Sequence, residues 1–120
     1  MSARGDVVAV LDGLVVEVDG EPMTVVAFPH VPDSMQALTA WPVWAFTTWR
    51  TKCIAEETFQ VLVTLPGGVP DAWSTYGDAV TGPIRDALSK LGGVMRCEPV
   101  AVPSINGGAT IPALAFTLVT

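Results

Sequence analysis

The apolar positions of this chain change period several times, and each change marks an element. Val7, Leu11, Leu14, Val15 and Val18 recur at helical spacing, which predicts an amphipathic helix over 6–16 with Asp6 as its N-cap. The same stretch carries a second pattern: 14–18 and 23–28 are apolar runs flanking Asp19-Gly20, a dipeptide suited to a type I′ hairpin turn. The preferred reading is a helix that gives way to a turn near Asp19, followed by a strand over 23–30. The hairpin stays open as the alternative. Pro29, Pro32 and the turn at 31–34 close that strand, and 31–41 reads as an irregular loop.

From there the period is that of strands. Trp41, Val43, Trp44, Phe46, Thr47, Thr48 and Trp49 make 41–52 rich in aromatic and β-branched residues, while Pro42 places its start at a sheet edge or loop end. Segment 57–65 alternates, with Phe59, Val61, Val63 and Leu65 on one face and Thr58, Gln60 and Thr64 on the other. These two strands are expected to pair as a hairpin around 52–56. Pro66-Gly67-Gly68-Val69-Pro70 breaks the pattern, and Asp71 stands ready to cap a helix whose stripe runs Trp73, Tyr76, Val80, Ile84, Ala87, Leu88, Leu91. Gly82-Pro83 interrupts that stripe, so either a kink or a second helix beginning at Pro83 is expected, with both halves facing one sheet. Gly92-Gly93 ends the element. Strands over 94–102 and 111–119 follow, joined through a loop carrying the hairpin dipeptide Asn106-Gly107.

The expected class is therefore α+β: an antiparallel or mixed sheet of about four or five strands, with an N-terminal helix and one long helix packed on one side. With no repeat, low-complexity tract or long linker, 1–120 reads as one domain.

Composition adds one feature to this picture. Only 15% of residues are charged, against about 25% in an ordinary soluble domain, and mean hydropathy is +0.48. No segment approaches the 18 or so uninterrupted apolar residues of a membrane helix, and the first residues lack the basic region, apolar run and cleavage site of a secretory signal. The chain is expected to stay where it is made. Asp, Glu, Lys and Arg are absent from 34–49, 58–70 and 99–120. Strands without such gatekeepers aggregate unless their edges and faces are covered, so part of this surface is expected to lie against neighbouring subunits. The alternative is a monomer with an apolar core and an uncharged polar surface. A net charge of −6 with six scattered basic residues argues against nucleic acid as a bound partner.

Catalytic chemistry has little to stand on. The one histidine, His30, lies in a proline-flanked loop, and neither a Gly-x-Ser-x-Gly elbow nor a phosphate-binding Gly-rich loop occurs. Glu56 and Glu57 are adjacent, and neighbours on a strand point apart rather than converging on one atom. Cys53 and Cys97, with a single histidine, form neither a disulfide framework nor a zinc set and read as reduced, packed thiols. No catalytic, cofactor or metal residue is assigned, and the chain is not expected to be an enzyme. The tryptophans at 41, 44, 49 and 73 fit a core, a subunit interface or a small-molecule pocket. Trp41, Trp44 and Trp49, with Pro32, Asp33 and Ser34, are the candidate contacts to a neighbouring subunit or partner.

An ordered set of features resembles the tail terminator proteins of long-tailed phages, especially those of actinobacterial hosts. It comprises an N-terminal helix, a strand entering Pro32-Asp33-Ser34, a strand ending in a glycine break (Phe59 to Gly68), a long helix with Arg85-Asp86-Ala87-Leu88, and a closing Asn-Gly hairpin. The resemblance spans most of the chain through motifs that are individually unspecific. It implies a homohexameric ring in the virion neck, assembled in the host cytoplasm. Such a ring ends the tail tube, contacts the tube protein on one face and a head-completion or connector protein on the other, and lets DNA pass its lumen without specific binding. Acidic lumen groups would repel phosphates. The tryptophan-rich 41–50 segment and Pro83 depart from the pattern. The alternatives are another neck or tail tube subunit, which would stack into filaments, or a monomeric domain with a tryptophan-lined ligand pocket.

Overall fold

In a computed structural model the structure describes residues 3–18, 20–32, 38–49, 51, 55–65, 72–103 and 110–119, with 3, 4, 44–48, 72 and 75 described by backbone alone. In chain order the elements are α1 (Ala3–Leu11), β1 (Val15–Val18), β2 (Glu21–Thr24), β3 (Val26–Ala27), β4 (Thr39–Trp49), β5 (Ala55–Thr64), α2 (Ala72–Leu88), β6 (Gly93–Val102) and β7 (Ile111–Val119). The class is α+β as expected, with two sheets: β1-β2, and a mixed five-stranded sheet in the order β3-β4-β5-β7-β6.

The N-terminal region takes the alternative reading. The helix ends at Leu11 rather than near residue 16, and 15–24 forms an antiparallel hairpin. Two glycines decide this. Gly13 at φ 85° and Gly20 at φ 79° occupy left-handed backbone that other residues adopt only with strain. Gly13 stops the helix and Gly20 turns the hairpin. The Gly13 N–H donates to the Val25 carbonyl at 2.9 Å and the Val25 N–H donates to the Leu14 carbonyl at 2.7 Å, stitching the exit of α1 to the end of β2. Asp6 lies within the first helical turn, not at the cap, and there its charge complements the helix dipole. The strand expected over 23–30 is split between β2 and the two-residue β3, which runs parallel to the start of β4.

β4 pairs antiparallel with β5, as expected, from Ala40↔Val63 to Trp49↔Ala55. β5 then pairs with β7, and β7 with β6. β5 and β6 therefore run parallel on either side of β7, joined by α2. The two-helix alternative at Pro83 is not realised: α2 continues through it. Proline there forfeits a backbone bond and crowds the preceding turn at a cost of about 3 kcal/mol. Val80, Ile84 and Leu88, all fully buried, hold both halves on one face of the sheet, and that packing outweighs the local penalty. The expected cap Asp71, the Asn106-Gly107 turn and 33–37 of the loop expected over 31–41 lie outside the described residues, and the end of that loop is instead strand, since β4 begins at Thr39 and pairs with β3 and β5.

Strand alternation sorts the sheet into two faces. Ala40, Val61, Val63, Leu114 and Phe116 point into one buried cluster with Val7 and Leu11 of α1, Val16 and Val18 of β1, and Val80, Ile84 and Leu88 of α2. The opposite row carries a smaller cluster, Trp41, Val102 and Ala113, with Val43, Leu62 and Val100 against it. Both helices thus pack on one side, and among the described residues no helix covers the other face.

The charge-free stretches acquire a physical explanation here. They contain β4, β7 and residues 58–64 of β5, all inner strands of the five-stranded sheet, together with 99–102 of the edge strand β6. Part of their missing charge is accounted for within the chain itself, because inner strands offer few positions where a charge stays solvated.

Candidate functional site

The sheet's edges restrict how another chain can approach. On β3, the Val26 and Phe28 N–H groups donate to the Leu38 and Ala40 carbonyls, so the Ala27 N–H between them points outward. There the Asp12 carboxylate Oδ1 accepts it at 3.1 Å. On β4, the Ala40 carbonyl faces β3, so two residues further on the amide hydrogen that Pro42 lacks would also have faced outward. Pro42 sits inside the strand, as its fourth residue, rather than at its beginning, because β3 is too short to require a donor at that point. β6, the far edge, carries Pro99, a register slip between Val94 and Arg96, and an Arg96–Glu98 ion pair at 2.9 Å. Proline, bulges and charges are devices that discourage strand addition, and each described edge has at least one of them.

The two bulges lie within one rung of each other. β4 slips at Ala45, between the pairs Trp44↔Phe59 and Phe46↔Thr58, and β6 slips at Met95, between Val94↔Leu118 and Arg96↔Thr117. Phe59 pairs with Leu118, so the two slips flank that one rung, a single step apart, at opposite sides of the sheet. Bulges bend a strand and increase its twist. At this level the open face holds a groove of about 290 Å³ lined by Thr58, Gln60, Met95, Arg96, Glu98, Thr117 and Val119. Met95, the extra residue of its bulge, is 72% exposed.

Beyond the same level the β4–β5 hairpin leaves the sheet. Among the described residues β5 has no β7 partner past Thr58↔Val119, yet it continues to pair with β4 through Thr47↔Glu57, Thr48↔Glu56 and Trp49↔Ala55. Those rungs form a two-stranded arm about 10 Å long at 3.3 Å per residue. Trp49, near its tip, is 66% exposed. Alternation along β5 puts Ala55 on the same row as Phe59 and Val61, so Trp49, opposite Ala55, belongs to the helix-side row.

The sequence-derived contact residues are thus dispersed. Trp41 is buried at 1% exposure in the second cluster, where it stabilises the fold and presents nothing to a partner. Pro32 is buried as well. Trp49 is on the surface. Trp44 is placed only by its backbone pairing with Phe59, and Asp33 and Ser34 lie outside the described residues. Trp73 packs against the main core from α2 and donates its indole N–H to the Ala113 carbonyl at 2.8 Å. Trp41, Trp49 and Trp73 therefore occupy three separate environments and do not line one pocket. Sequence reasoning missed the groove residues Met95, Arg96, Thr117 and Val119, because their convergence depends on pairing register.

His30 is exposed. Cys97 is partly buried on β6, and burial pushes its thiol above the ordinary cysteine value; a hydrogen bond with the Thr81 side chain opposes the shift and the Glu98 carboxylate adds to it. Cys53 lies outside the described residues. Among the described residues no three of His, Cys, Asp and Glu come together as a metal set, and no helix is long and apolar enough to cross a membrane. Comparison with protein-family models, curated proteins and solved structures finds no match to this chain.

Proposed function

We propose that this chain is the subunit of a homohexameric ring in the neck of a long-tailed phage, ending the tail tube and joining it to head-completion proteins. It acts by surface complementarity and not by catalysis. The observation that carries the reading is the β4–β5 arm, which projects past the sheet and holds Trp49 two-thirds exposed at its tip. A large aromatic side chain displayed on a two-stranded arm suits a protein contact. Guarded sheet edges favour the same reading, since they oppose open-ended growth by strand addition while leaving side-chain contacts that close by rotation into a ring. A net charge of −6 suits a lumen that DNA traverses without adhering.

The test is to add the purified chain to a polymerising tail tube protein of the same phage and image the product by negative stain. Tubes whose growth stops, each carrying one added ring at an end, are the expected result. Tubes that lengthen as they do without the chain, or filaments built of the chain alone, contradict the proposal, and filaments would mark it as a tube subunit instead.

A further inference from the structure

We infer that Trp49 of one copy seats in the bulge-level groove of the next copy, so that the ring is built from one repeated knob-and-groove contact. This inference rests on the ring reading and assigns its interface.

Both halves of the contact are present on the chain, and geometry keeps them apart within a single copy. The groove opens on the face away from the helices, lined by Thr58, Gln60, Thr117 and Val119 of the two inner strands and by Met95, Arg96 and Glu98 of β6. Trp49 belongs to the helix-side row and lies three rungs past Thr58. To reach its own groove it would have to cross to the other side of the hairpin and break the pairing of 47–49 with 55–57. A second copy meets no such obstacle. Because knob and groove face opposite sides of one sheet, a copy that receives an arm on its open face offers its own arm from the other side. The contact therefore propagates head to tail, the heterologous arrangement that closes into a ring when the rotation fits.

The groove's chemistry matches an indole. Met95 supplies an exposed thioether, a favourable neighbour for an aromatic edge. Arg96 supplies a planar cation that stacks on an aromatic face, and the 2.9 Å pairing with Glu98 orients its guanidinium. Val119 gives apolar contact, and the Thr58, Thr117 and Gln60 side chains offer oxygen acceptors for the indole N–H. Glu57, two residues along β5 from Trp49's partner Ala55 and on the same row, is opposite in sign to Arg96.

The experiment uses the full-length chain and two variants, Trp49→Ala, which removes the knob, and Met95→Glu, which puts a second carboxylate beside Glu98 in the groove. Both positions are exposed, and circular dichroism with a melting curve checks that each variant folds like the parent. In sedimentation velocity from about 1 to 100 µM, the parent is expected to assemble. Each variant alone is expected to stay monomeric, or to associate at least about thirtyfold more weakly. Mixed together, the variants are expected to form a heterodimer that grows no further, with Trp49 of the Met95→Glu chain in the intact groove of the Trp49→Ala chain. A parent that assembles while both variants assemble equally well overturns this inference and leaves the ring reading standing. A parent that remains a monomer across that range overturns the self-contact itself.

Discussion

Trp73 donates its indole N–H to the backbone carbonyl of Ala113 at 2.8 Å, across 40 positions of sequence. This bond ties the start of α2 to β7, an inner strand of the sheet, so a tryptophan that could have belonged to a ligand pocket is a fastener between helix and sheet. Trp73→Phe keeps most of the ring but loses the donor. It is expected to lower unfolding free energy by about 1 kcal/mol, read from urea denaturation. A midpoint equal to that of the parent would show that the bond contributes nothing.

Two glycines are expected to respond in opposite directions to the same substitution. Gly13 holds φ 85° at the exit of α1, so Gly13→Ala forces a side chain into left-handed backbone and should destabilise by about 1 kcal/mol. Gly77 lies inside α2, and a methyl group placed there meets nothing within 4 Å. Gly77→Ala should therefore stabilise by roughly 0.5–1 kcal/mol through lower unfolded-state entropy and better helix propensity. Thermal melts of the two variants check both signs.

The edge of β3 supplies a third expectation. The Asp12 carboxylate satisfies the outward Ala27 N–H. Asp12→Ala leaves that donor to water and is expected to cost about 1 kcal/mol, with faster aggregation on heating as the edge opens. Asp12→Asn retains an acceptor oxygen and should recover most of the loss. Equal destabilisation by the two variants would contradict the capping role.

Much of this fold is legible in the amino-acid sequence, for identifiable reasons. The strict alternation of Phe59, Val61 and Val63 against Thr58 and Gln60 is a local signal, and the first three are buried in the sheet as that alternation implies. The stripe of α2 persists through Pro83 because burial of Val80, Ile84 and Leu88 is worth more than one lost backbone bond. The α1 boundary is harder to read. Leu14, Val15 and Val18 satisfy a helical and a strand period together, and only the backbone angles at Gly13 and Gly20 separate the two. The groove is not legible at all: Met95 and Arg96 come beside Thr117 through the register slip on β6, which follows from strand pairing and leaves no mark in periodicity. The charge-free stretches do fall on strands, yet β4, β5 and β7 are interior, and that explains part of what their composition alone would assign to neighbouring subunits.

Cys97 gives the molecule a pH dependence of definite sign. Burial raises its thiol above the ordinary cysteine value, so the folded chain holds that proton more tightly than the unfolded chain. The resulting stability is fully present below the ordinary cysteine value and is lost as pH rises through the raised one. Cys97→Ser is expected to remove this share of the alkaline fall in melting temperature. Iodoacetamide should label the Cys97 peptide more slowly than a free cysteine peptide at the same pH, as read by mass spectrometry. Equal labelling rates would contradict the shift.

The central claim, that this 12.6 kDa chain works as a closed ring of copies joined by side-chain contacts, is tested most directly by its native mass. Native mass spectrometry of the full chain, alone and with its tail tube protein, should give a single assembly of about six chain masses, lost in Trp49→Ala while the fold is kept. A chain found only at the monomer mass under both conditions, or an open series of ever larger species, would contradict it.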